Sequence, residues 1–135
     1  MSRTEKQKLG DWGEEQAALF LIRNDYQIVE RNFTIHGERG KKVGEIDIIA
    51  RQNKHHFGDT LCFVEVKTRS YGEGSAERAT NKVNKMISFK KTAWQYCLNN
   101  NIDLDSNPIQ FEQVSVYLDK RSSKVNFKKY EIPIE

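Results

Sequence analysis

Two apolar segments that carry charge constrain this chain more than any other feature. Gly44-Glu45-Ile46-Asp47-Ile48-Ile49-Ala50 and Leu61-Cys62-Phe63-Val64-Glu65-Val66-Lys67-Thr68-Arg69 each have the length and the Ile, Val and Phe content of a β-strand, with a turn-like polar segment between them. Successive side chains of a strand point to opposite faces, so Glu65 and Lys67 share one face and Asp47 shares one with Glu45. Paired as a hairpin, the strands bring three acidic groups and one lysine to one edge of a sheet. Charge embedded in apolar strands is costly to desolvate unless it is paired or holds a metal. That cost points to chemistry here.

The rest of the chain supplies elements to carry such a hairpin. Leu9, Trp12, Gln16, Leu19 and Phe20 fall at helical spacing within Thr4 to Asn24, and Ala17, Ala18 and Leu21 widen the apolar stripe. Gly10 and Gly13 each cost that helix about 1 kcal/mol relative to Ala, which signals a bend, a late start or a close backbone approach beside Glu14 and Glu15. Strands are expected over Tyr26 to Phe33, Val43 to Arg51 and Thr60 to Arg69, joined by exposed loops at His36 to Lys42 and Gln52 to Asp59. After the glycine-containing loop Ser70 to Ser75, a long helix is predicted from about Ala76 to Asn99, with a stop at Asn99-Asn100-Asn101. Two further strands, Gln110 to Leu118 and Val125 to Ile134, flank a polar turn, and Pro133 marks the last as an edge strand. The order αβββαββ predicts an α/β or α+β fold, a mixed β-sheet with helices packed on it, in a single domain spanning residues 1–135.

Composition excludes several classes. With 37% hydrophobic and 30% charged residues the chain is neither disordered nor membrane-spanning, since no apolar run approaches 18 residues. No apolar segment follows the polar start Met1 to Leu9, so a signal peptide is not expected and the cytoplasm is. The two cysteines, Cys62 and Cys97, are too few and too far apart for a disulfide framework or a CxxC zinc site, and read as small buried hydrophobes. His55 and His56 are adjacent, so they face opposite ways and read as a solvated loop pair. Trp12 reads as core.

The charged strands fit one chemistry well. Cleaving a phosphodiester at neutral pH needs an activated water and neutralisation of the phosphate, both of which Mg²⁺ (or Mn²⁺) supplies from one or two carboxylates, with water and phosphate oxygens at its remaining positions. Asp47 and Glu65 are the natural ligand pair, the carbonyl of Val66 can complete the site, and Lys67 can orient the water or stabilise developing charge. A single strand acid is more simply a surface ion pair. An Asp followed by Glu-x-Lys, held between apolar neighbours on adjacent strands, favours a site. The net charge of +3 does not by itself demand a nucleic-acid partner. Arg69, Arg78, Lys82 and Lys85, downstream of the Glu-x-Lys strand, can nevertheless line a groove that tracks phosphates without reading sequence.

These residues also carry a family resemblance. Asp47 with Glu65-Val66-Lys67 resembles the core motif of the PD-(D/E)xK, restriction-endonuclease-like superfamily. Gly13-Glu14 with Ala17, Arg31-Asn32, Gly44 to Ala50 and Phe63 to Arg69 resemble more closely the YraN family of predicted bacterial nucleases, with Lys85, Ala93 and Tyr96 at matching positions of the second long helix. The resemblance implies a restriction-endonuclease-like α/β core similar to that of archaeal Holliday-junction resolvases. In those an acidic residue of the first helix joins the metal site, and Glu14 is the matching position. Glu45, beside the ligand strand, is a candidate for supporting the ligands. The superfamily proline is replaced here by Ile46, and the segments Thr34 to Val43 and Gln52 to Thr60 look longer than the family's connections, which leaves substrate selection open.

The expectation is a Mg²⁺- or Mn²⁺-dependent endonuclease acting on DNA, with branched DNA as one candidate substrate and no membrane partner. A DNA-binding module without turnover and an RNA-directed nuclease are the alternatives, and no motif reports on the 2′-OH. An enzyme of branched DNA would work as a homodimer, so that two sites cut two strands symmetrically.

Overall fold

The computed structural model describes residues 3–54, 58–71 and 82–133. Its elements are α1 (Glu5–Arg23), β1 (Tyr26–His36), β2 (Lys42–Lys54), β3 (Gly58–Tyr71), α2 (Lys82–Asn99), β4 (Ile109–Asp119) and β5 (Val125–Ile132), with one 3-10 turn at Glu38–Gly40. The strands form one sheet in the order β1-β2-β3-β4-β5. All neighbours are antiparallel except β3 and β4, which run parallel because α2 lies between them in the chain. The fold is a mixed α/β sheet flanked by helices, in the predicted order.

Each helix covers one face. Ala17, Ala18 and Leu21 of α1 pack with Ile48, Ala50, Cys62, Val64, Val114 and Val116. On the other side Phe89, Ala93, Tyr96 and Cys97 of α2 pack with Ile46, Ile49, Leu61, Phe63 and Phe111. The central strands are buried on both faces, which is why Ile48-Ile49-Ala50 and Leu61 to Val64 are continuous apolar runs. Cys62 and Cys97 are buried thiols outside any disulfide, in opposite layers. Trp12 packs, partly buried, against the α1-side core.

α1 starts where Thr4 caps it: the threonine side chain accepts the Gln7 N–H at 3.1 Å, and the Gln7 side chain accepts the Thr4 N–H at 2.9 Å. α2 ends at Asn99, two residues before Asn101 adopts a left-handed backbone. Strand lengths depart from the sequence expectation. Thr34 to His36 extend β1, and Gln52 to Lys54 pair with Gly58 to Thr60, so much of the second expected loop is ladder while Gly37 to Lys41 of the first stays outside the strands. Backbone pairing needs no apolar side chain, so polar residues prolong strands whose centres are anchored in the core. β5 is an edge strand, ending at Ile132 before Pro133. His55, His56 and the expected helical residues 76–81 lie outside the described residues.

Candidate active site

The site begins where β2 and β3 part. Their register runs from Lys54↔Gly58 to Ile48↔Val64, and beyond it the Val66 N–H donates to Asp47 Oδ2 at 2.7 Å. A carboxylate thus takes a backbone donor that a continuing ladder would have used. The cause lies partly in β1. Asn32 has φ +55° and sits opposite Asp47, between the pairs Arg31↔Ile48 and Phe33↔Ile46. Asparagine tolerates this left-handed conformation better than most residues. The strands swivel there: Ile48 enters the α1-side core while Ile46, two residues away, enters the α2-side core, whereas a regular strand would put both on one face.

α1 brings Glu14 to Asp47, and Gly13 is what permits it. A Cβ on Gly13 would lie 2.8 Å from Thr68 Cβ on β3, so the helix can approach this closely only without a side chain at that position. Gly10 faces open space and has no such role. The same device seats α2, because a Cβ on Gly44 would collide with the Thr92 hydroxyl and lie 3.1 Å from Ile35 Cγ1.

Crowded carboxylates follow. Burial pushes the Glu14 carboxyl up to about 7, helped by the nearby charges of Asp47 and Glu45 and by a hydrogen bond with Asp47, against a smaller downward pull from Arg31. Glu14 Oε1 is buried with no hydrogen-bond partner. Glu45 pairs with Lys42 at 2.7 Å, and this bond and charge push the Lys42 ammonium up. Arg31 reaches Glu15 at 2.8 Å while its Nε is buried and unpartnered.

On β3, Lys67 Nζ lies 3.3 Å from Glu65 Oε1, and the two side chains are only 14% and 10% exposed. Both alternate with Val64 and Val66, which pack toward α1, so Glu65 and Lys67 leave the strand on the α2 side. Asp47 spans the gap through its bond to Val66. The acids expected at one edge of the sheet therefore approach it from both layers.

The structure brings together Glu14, Asp47 and Glu45, joins Glu65 to Lys67, and links the two groups through Val66. Arg69 follows on the Lys67 face of β3, beside Tyr117 in register. Arg78 lies outside the described residues, and although Lys82 and Lys85 belong to α2, their side chains also lie outside them. Sequence reasoning missed the electrostatic part of Arg31, the swivel at Asn32 and the contact of Thr68 with Gly13. An asparagine within the expected first strand was the available signal for the swivel.

Among the described residues, no group of three or more His, Cys, Asp and Glu side chains forms a ready metal cage. Mg²⁺ does not require one, since one or two carboxylates with waters and substrate oxygens suffice. The orphaned Glu14 oxygen beside Asp47 is the kind of donor such an ion would satisfy, and the oxygen-only set suits a hard cation.

Residues 13–116 match the sequence model of "Uncharacterised protein family UPF0102". A UPF0102 protein of Acetivibrio thermocellus is 35% identical over 128 residues, covering 94% of this chain and 88% of the relative. Those of Alkaliphilus oremlandii and Syntrophomonas wolfei are 36% and 37% identical, each covering 88% of this chain and 92% of the relative.

Proposed function

The chain belongs to the UPF0102 family, and from the arrangement around Asp47 we propose that it is a metal-dependent nuclease, a single restriction-endonuclease-like domain that hydrolyses phosphodiester bonds of DNA. One observation carries the reading: Glu14, on a helix seated by a glycine, is pressed against Asp47 with one oxygen buried and unpartnered. Fold stability gains nothing from such crowding, whereas a cation site requires it.

Glu14, Asp47, Glu65 and the Val66 carbonyl would hold Mg²⁺ or Mn²⁺. When bound, the ion supplies Lewis acidity toward phosphate oxygens and the attacking water. The chain's own groups do the rest. The Val66 N–H fixes the rotamer of Asp47. Glu65 keeps the Lys67 ammonium at the site, where it orients water and offsets charge building on the phosphate. Glu45 and Arg31, with opposite signs, tune the field at Glu14.

The test is cleavage of single-stranded, duplex, flap and four-way-junction DNA in Mg²⁺, Mn²⁺ or EDTA. Asp47→Asn is expected to abolish metal-dependent cutting while leaving the fold intact. Full activity in that variant would refute the assignment.

A further inference from the structure

We propose that the face of β3, β4 and β5 beside Lys67 seats a single-stranded stretch of DNA, with phosphates on Lys128 and Arg69 and an unpaired base against Tyr130. This rests on the nuclease reading for the identity of the polyanion. The placement comes from register.

Residues paired across a sheet share a face, so three rows can be read beyond the core. Phe63, Phe111 and Ile132 form the last row beneath α2. The next is Glu65, Gln113 and Tyr130, then Lys67, Ser115 and Lys128, then Arg69, Tyr117 and Asn126. The side chains change within one step from apolar to polar, basic and aromatic; Glu65 and Ser115 are still buried, and the exposed part of the strip lies on β5 at Tyr130, Lys128 and Asn126. Tyr130 is 46% exposed there. Lys128 is exposed too, with its ammonium 5.9 Å from the Tyr117 ring centroid.

The charge suits a polyanion. Of these nine positions three are cationic and one is acidic, and that acid, Glu65, is paired with Lys67. Glu131 falls on the opposite face, in register with Glu112. The β4–β5 turn prolongs the strip with exposed Lys120, Arg121 and Lys124. Its one acid, Asp119 at the end of β4, accepts the Arg121 N–H at 2.9 Å.

An exposed aromatic beside a cation on a sheet face suits unpaired bases, which can present a π-face that a duplex hides in its stack. Strands lie about 4.8 Å apart, so Lys128 and Tyr130 stand about two spacings from the Glu65–Lys67 pair. A strand held there passes the site.

The experiment measures binding of the full chain, in EDTA, to a labelled oligo-dT of about 15 nucleotides and to a blunt duplex, by fluorescence anisotropy. Tyr130→Ala is expected to weaken single-strand binding at least about fivefold and leave duplex binding within about twofold, with Tyr130→Phe behaving as wild type. Lys128→Ala should lower the slope of log affinity against log salt by about 1. Unchanged single-strand affinity in both alanine variants overturns the strip, and metal-dependent cleavage by the same preparations would leave the nuclease reading standing. Equal losses on single strand and duplex in Tyr130→Ala overturn the unpaired-base assignment. Failure of the wild type to bind any DNA overturns the strip, and failure to cut as well removes the nuclease reading with it.

Discussion

Glu14→Gln should make the protein more stable at alkaline pH while removing the proposed metal-dependent cleavage. The folded chain holds this carboxyl at about 7, against 4.5 ordinarily, with burial the largest cause and Asp47 and Glu45 next. Below 4.5 the group is protonated in folded and unfolded chains alike, so it makes no pH-dependent difference there. Between 4.5 and about 7 the unfolded chain releases the proton and the folded chain keeps it, so stability falls as pH rises. Each pH unit of that window is worth about 1.36 kcal/mol, so the full loss by pH 8 is at most about 3 kcal/mol, less whatever solvent screening removes from a partly exposed group. Glutamine keeps the size without the charge and escapes the loss. Urea denaturation in EDTA at pH 5 and pH 8 measures it: wild type should lose about 1–2 kcal/mol relative to Glu14→Gln between the two. Parallel pH profiles for the two proteins would show that Glu14 carries no such burden, and the argument from crowded carboxylates would fall. With Mg²⁺ at pH 8 the wild type should regain stability and the variant should not, because on the proposed assignment Glu14 is one of the ion's ligands.

Three further outcomes can be checked. Gly13→Ala forces α1 away from Thr68; overpacking of about 1–3 kcal/mol, partly offset by about 1 kcal/mol of helix propensity, leaves a folded protein by thermal melting whose cleavage rate drops because Glu14 is displaced. Tyr26→Phe removes a hydroxyl that donates to buried Glu112 at 2.8–2.9 Å, and chemical denaturation should show a cost of about 1–3 kcal/mol, with the remaining Gln110 and Lys129 contacts keeping it toward the lower end. Lys67→Ala should abolish single-turnover cleavage while DNA binding in EDTA persists; unimpaired cutting would remove Lys67 from the chemistry.

The Tyr26–Glu112 contact also shows where pattern reading stops. Two residues 86 positions apart, one opening β1 and one inside β4, share a buried bond whose phenol is pushed up by burial and by Glu112. Nothing local shows that the two meet, and Glu112 interrupts an apolar strand just as Asp47 and Glu65 do. What distinguishes the cluster around Glu112 from the one around Glu14 is satisfaction. Glu112 has Tyr26, Gln110 and Lys129 around it, whereas an oxygen of Glu14 has no partner beside Asp47.

By itself the sequence determined the elements, because apolar periodicity and glycine punctuation are local and act before any contact forms. It also marked Asp47, Glu65 and Lys67, because charge in an apolar strand is conspicuous wherever the strand ends up. Tertiary structure decided the rest. Strand ends ran past their apolar centres because ladders need only backbone. Glu14 gained its perturbed carboxyl from a helix that approaches Thr68 through Gly13, and Asp47 gained its orientation from the parting of β2 and β3 opposite Asn32. Proximity between distant segments sets desolvation and field, and those quantities exist only once the sheet has closed beneath the helix.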